Sequence, residues 1–193
     1  MKQAKSIEHG REVAPSRGLH PIQALDFDQV QVQIQLAPLT AENMRAFQAA
    51  ETERIRALVD IRDSHVPRKA VVVMDGSNEL LPGADVRRMQ AEWLKEHHDL
   101  LRLVLHSISV VVPNPLTRGA VTAVTWMANT PCPIKTHASL EQAVAWAIDE
   151  CIAIGGTVSE ELLQGGVTAI EARRNALKNV HGGGPSKSVA EAV

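Results

Sequence analysis

The sequence predicts an α/β fold, a mixed and partly parallel sheet flanked by helices, with a C-terminal helical extension. Three observations carry this. The stretch QVQVQIQL from Gln29 to Leu36 alternates apolar and polar residues. Two short valine-rich runs, Ala70 to Met74 and His106 to Val112, are too brief for buried helices. Each of those runs is followed by a segment with helical apolar spacing, and such alternation requires crossovers and hence parallel strands.

In order along the chain, PIQALDF reads as a first strand, joined through a turn near Asp28 to Val30, Val32, Ile34 and Leu36. The intervening glutamines predict a strand with one wet face. Thr40 is a natural N-cap for a helix from Ala41 to Ile61, whose buried stripe is Met44, Phe47, Ile55, Leu58 and Val59. Ala70 to Met74 then fits a central strand buried on both faces. After Pro82 and Gly83, the residues Val86, Met89, Trp93, Leu100 and Val104 mark one amphipathic helix to residue 104. His106 to Val112 is the next strand. Asn114 caps the following helix and Pro115 takes its first position, where a missing N–H costs nothing. PCPIKTHA supplies a short edge strand, because its prolines cannot donate to a ladder. Ser139 and Gln142 form a capping box for a helix that stops at Gly155 and Gly156. A last helical segment from about Ser159 to Val180 is interrupted at Gly165 and Gly166.

The 193 residues suffice for one domain with a core plus tails. Residues 1–20 read as a flexible arm, 21–156 as the domain, 157–180 as the helical extension and 181–193 as a flexible tail. A formal charge of -2 provides no field for nucleic acid or anionic membranes. With three Trp, two Phe and no Tyr, stacking platforms for single-stranded bases are scarce. The opening MKQAKSIEHGREVAPSRGLHP has no apolar core, and nowhere do about eighteen apolar residues run together. The expectation is a soluble, cytoplasmic protein with no membrane span. Cys132 and Cys151 form no CxxC pair, so the expectation is two buried thiols, with no metal and no cofactor.

Two exit loops carry the residues suited to chemistry. Asp75 and Ser77 follow one parallel strand and the stretch from Asn114 to Gly119 follows the next, and ligands of open sheets favour the crevice beyond such strand ends. Asn114, Thr117 and Arg118 could hold an anion at a helix N-terminus, with Asp75 positioning the arginine or a water. The structural alternative is that Asn114 only caps and that Arg118 pairs with Asp75 or lies in solvent. An enzyme would have to use Asp75, Ser77, His106 and Arg118, yet no nucleophile elbow such as GxSxG occurs. HGGGPSKS near the end matches no phosphate loop and reads as linker. The basic cluster Arg54, Arg56, Arg62, Arg68 and Lys69, interspersed with Asp60 and Asp63, reads as a solvated face.

Taken together, APLTAENMRAF, KAVVVMDGSNELLPGADVRRMQAEWLKEH, SVVVPNPLTRGAVTAVTWM and SLEQAVAWA resemble the SpoIIAA-like branch of the STAS superfamily. The likeness spans Leu36 to Ala147 and rests on order and spacing. It implies a mixed sheet flanked by helices acting as a non-enzymatic docking module of bacterial signalling, like the antagonists of anti-sigma factors. The family's phosphorylated serine would fall near Gly83 or Ala84. Neither has a hydroxyl, and no Ser or Thr lies between Ser77 and Ser107. The expectation is therefore a protein partner without the usual switch and an interaction surface including Arg87, Arg88 and Lys95, while the polar glutamine face of QVQVQIQ could suit pairing or self-association into a homo-oligomer. The rival expectation is a small-ligand binder for lipid, anion or nucleotide, since lipid-transfer domains have been grouped with this fold.

Overall fold

In a computed structural model, residues 22–36, 39–62, 69–77, 83–127 and 130–182 are described. The arm at 1–20 and the tail past 182 lie outside them, as do Asp63, Arg68 and Pro82. Five strands form one sheet in the order β1 (Ile22–Phe27), β2 (Val30–Gln35), β3 (Ala70–Asp75), β4 (Leu105–Val111) and β5 (Ile134–His137). β1 and β2 are antiparallel and every later pairing is parallel. The sheet is mixed as expected, with the valine run at its centre and the proline-flanked strand at its edge.

Because β2 to β5 are laid down side by side in one direction, right-handed crossovers place their connecting helices on one face. These are α1 (Ala41–Arg62), α2 (Ala84–Glu96), α3 (His98–Val104) and α4 (Pro115–Met127). After β5 the chain turns to the other face with α5 (Leu140–Ala153), α6 (Glu160–Gly165) and α7 (Val167–Gly182). The strand parity follows. Val32, Ile34, Val71, Val73 and Val111 point toward α5 to α7, while Val72 and Ile108 point toward α1 to α3. Each fully buried Val or Ile contributes roughly 1.5–3 kcal/mol relative to exposure.

Two local readings change. The glutamine face of β2 is not wet: Gln31 and Gln33 are 2% and 8% exposed. α1 covers them, and a polar ladder satisfies them. Gln33 Nε2 donates to Gln31 Oε1 at 3.3 Å, Gln31 Nε2 to Asp26 Oδ1 at 2.8 Å, and Arg54 Nη2 to Gln31 Oε1 at 2.8 Å. Burial opposes the charge of Arg54, but Glu51 and Asp26 hold its pKa above the ordinary value. So Arg54 is half-buried against the glutamine face of β2 and is not part of a fully solvated basic face.

The second change is a break at His97 in the segment read as one helix. No glycine or proline marks it. The His97 imidazole contacts Trp93 O at 3.0 Å and Thr52 Oγ1 at 3.3 Å, and stacks on the Trp93 ring. Each half of the segment then packs on α1.

The C-terminal helical extension is present as α6 and α7, and it packs onto the sheet. Leu162 and Ile170 are fully buried in the same core as β1 to β4 and α5. An isolated bridge joins Asp28 to Val158, and Gln29 N donates to Thr157 O at 3.1 Å. A Cβ on Gly156 would lie 2.7 Å from Cys151 Sγ, so only glycine lets the chain pass this close to α5. Gly166, with φ +50, makes the interruption between α6 and α7.

Candidate functional site

Asp75 ends β3 in a row across the sheet that also holds Ile34, Val111 and His137, all facing α5 to α7. It is the carboxyl edge of the parallel strands, where the sequence places a crevice. Asp75 Oδ1 accepts from Ser77 N at 3.1 Å and from Ser77 Oγ at 2.5 Å. Its Oδ2 is ion-paired with Arg174 of α7, whose other terminal nitrogen donates to Glu171 Oε1 at 3.0 Å. The side chains of Asp75 and Arg174 are 3% and 13% exposed, so this is an interior pair linking β3 to α7.

Arg118 does not take part. Its Nη1 donates to the carbonyls of Val112 and Pro113 at 2.9 and 3.2 Å, binding the exit of β4 to α4. Asn114 Oδ1 accepts from the N–H groups of Leu116 and Thr117 at 2.9 and 3.2 Å. The donors read as an anion cradle are therefore occupied by the cap itself. The sequence idea that Asp75 orients or pairs with Arg118 is corrected, because a nearer cation arrives from a helix whose docking the sequence does not reveal. His106 does not join Asp75 either. It is the second residue of β4, five residues before the partner row of Asp75 and about 17 Å away at strand rise, and its Nε2 meets Glu150 Oε2 at 3.1 Å.

Two further groups went unnoticed. On α7, Arg173 pairs with Glu161, donates to Asp26 O at 2.8 Å and lies 4.2 Å over the Phe27 ring. The hydrogen bond from Arg173 holds Glu161 below the usual carboxylate range, against a small opposing cost of burial. The available signal was placement: Arg174 stands four residues after buried Ile170 and three before Leu177, on the apolar stripe. A charge there calls for a buried partner.

The second group is His137, 9% exposed, whose Nε2 is buried without a hydrogen-bond partner. Its ring is 5.6 Å from that of Trp146, over which Lys135 Nζ sits at 5.2 Å. Burial, and then the nearby Lys135 charge, lower the His137 pKa from 6.5 and favour the neutral ring. Two strand spacings separate it from Asp75, about 10 Å.

Arg87, Arg88 and Lys95 are exposed on α2. Arg88 approaches Glu92 at 3.9 Å with both side chains over 70% exposed, a geometry that contributes little to stability. Among the described residues no His, Cys, Asp and Glu group could hold a metal, and no helix is long and apolar enough to cross a membrane.

No protein-family model matches this chain. No curated protein matches it. A solved structure similar to it is an uncharacterized protein of the DUF3478 family with a SpoIIAA-like fold from Shewanella loihica PV-4. The two share 15% identity over 69% of this chain and 99% of the other, with a TM-score of 0.48.

Proposed function

We propose that this chain is a non-enzymatic protein-interaction domain of a bacterial regulatory system, working without the phosphoserine switch of the anti-sigma factor antagonists it resembles. One observation carries the reading: the residues best suited to chemistry at the carboxyl edge of the sheet already serve the fold. Asp75 is held by Arg174, Asn114 caps α4, and Arg118 takes two carbonyls. Gly83 and Ala84, where the switch would stand, carry no hydroxyl. Arg87, Arg88 and Lys95 are exposed on α2, where an acidic partner can reach them.

The test compares partners captured from native lysate by the wild-type chain and by the variant Arg87→Glu, Arg88→Glu, Lys95→Glu. The reading expects a protein retained by the first and lost by the second. An identical set from both would overturn it.

Small-ligand binding is a second reading, favoured by the unpartnered Nε2 of His137 beside Trp146. Native mass spectrometry after gentle purification decides it: a retained small molecule that His137→Phe releases supports it, and an unadorned chain mass opposes it.

A further inference from the structure

The C-terminal end of α5 breaks two habits of a stable surface helix. Ile152, Ala153, Ile154 and Gly155 are exposed in succession, an uninterrupted apolar run that a soluble surface avoids unless it is used. Ile152 and Ile154 are 58% and 38% exposed, and Leu163 of α6 is 52% exposed, so three of the five exposed large apolar side chains among the described residues belong to this corner. Only five residues of chain, spanning at most about 18 Å, lead from Ile154 to Ser159, the N-cap of α6. The chain doubles back on the way, with Gly156 N donating to Cys151 O at 2.8 Å. The second broken habit concerns charge. The C-terminal end of a helix favours cations, because its last carbonyls carry partial negative charge. α5 instead brings Asp149 and Glu150 toward that end and has no basic residue in its last turn.

No Lys or Arg stands between Lys135 and Arg173 in the sequence. Glu150 meets His106 and Glu161 meets Arg173. Among the described residues no Lys or Arg pairs with Asp28, Asp149 or Glu160, all three exposed. Asp28 reaches this corner through its bridge to Val158. Burial, and then the charge of Asp28, hold the Cys151 thiol above its ordinary value, so that carboxylate stands near the end of α5.

We propose that this corner, Asp149 to Gly155 with Leu163, Asp28 and Glu160 around it, is a docking surface whose occupant is a cationic amphipathic segment of a partner protein, with Lys or Arg flanking bulky apolar side chains. An apolar centre with a polar rim is the anatomy of a protein interface, and the unpaired charges of this rim have one sign. They repel an acidic segment, and they repel an anionic bilayer in the same way. A second copy fits poorly, because α2, which exposes Arg87, Arg88 and Lys95, exposes no large apolar side chain. A docked cation also supplies the positive charge that the end of α5 lacks.

This inference does not rest on the acidic-partner reading, since it uses α5 and not α2. The probe is a fluorescein-labelled peptide with Leu at helical spacing and Lys elsewhere, titrated with the full chain at low salt and followed by anisotropy. Two control peptides replace every Lys by Glu or every Leu by Ser, and both should bind at least about tenfold more weakly, the factor equivalent to 1.4 kcal/mol. Ile152→Ser should raise the dissociation constant of the Lys–Leu peptide about tenfold. Asp149→Lys should raise it about fivefold or more, by reversing a charge at the rim. The melting temperature should not fall for Asp149→Lys, because the new charge suits the helix end. The variant Arg87→Glu, Arg88→Glu, Lys95→Glu should bind the peptide like wild type.

No binding of the Lys–Leu peptide would overturn the proposal. So would binding that neither α5 substitution weakens, or equal binding of the Glu–Leu peptide. Sedimentation of the chain with phosphatidylserine vesicles, abolished by Ile152→Ser, would assign the corner to a lipid surface and equally overturn it.

Discussion

Arg174→Met removes the cation that neutralises Asp75 and leaves a carboxylate whose side chain is 3% exposed. Only the N–H and hydroxyl of Ser77 then remain to it. Breaking a buried pair from one side costs about 3–5 kcal/mol. For a chain of this size about 1 kcal/mol moves Tm by about 2–4 °C, so the expected loss is roughly 6–20 °C. The reverse change, Asp75→Asn, should cost less, because Arg174 keeps Glu171, which is 44% exposed and in contact with water. The double variant should recover part of the loss, with a coupling energy of about 1–3 kcal/mol. Urea unfolding of the four proteins at a common m-value measures this cycle. An Arg174→Met cost within about 0.5 kcal/mol, additive with Asp75→Asn, is the signature of a surface pair and would refute the interior lock.

Three further expectations can be checked on the same material. The lowered pKa of His137 means that the unfolded chain binds a proton more readily than the fold. Its contribution to stability is therefore complete above pH 6.5 and is lost as the pH falls below that value through the folded pKa. Urea midpoints between pH 5 and 7.5, compared with His137→Gln, should show the wild type losing more stability on acidification; parallel curves contradict this. Burial pushes the Cys132 thiol up to about 11, against the opposing charge of Lys69. Cys132 and the fully buried Cys151 should both resist a thiol reagent at pH 8 until the chain unfolds, whereas release of two equivalents at free-thiol rates would show the core to be open. Asn114→Ala should cost about 1 kcal/mol by removing two capping hydrogen bonds from α4, and an unchanged urea midpoint would mean that the cap is idle.

The elements legible in the sequence were those with a simple period or punctuation. Alternation gave β2, the turn near Asp28 set β1 before it, valine runs gave β3 and β4, and Asn114, Ser139 and Gly166 marked their helix ends. What escaped depends on partners distant along the chain. Gln31 and Gln33 look solvent-facing by polarity, yet Asp26 and Arg54 let them stay buried. The break at His97 arises from contacts with Thr52, forty-five positions earlier. At the carboxyl edge, strand order placed Ser77 beyond β3, whereas Asp75 is the last residue of the strand itself. It did not show that α7 folds back across the sheet, so the cation was sought in the nearer Arg118 and not in Arg174, ninety-nine positions away.

The central claim is that the carboxyl edge maintains the fold while an exposed surface meets the partner. Its most direct test is partner binding by three folded proteins: wild type, the double variant Asp75→Asn, Arg174→Met, and the triple variant Arg87→Glu, Arg88→Glu, Lys95→Glu. Measured below the melting temperature of the least stable protein, the double variant should bind like wild type and the triple variant should not. Loss of binding in the folded double variant, with binding retained by the triple, would contradict the account.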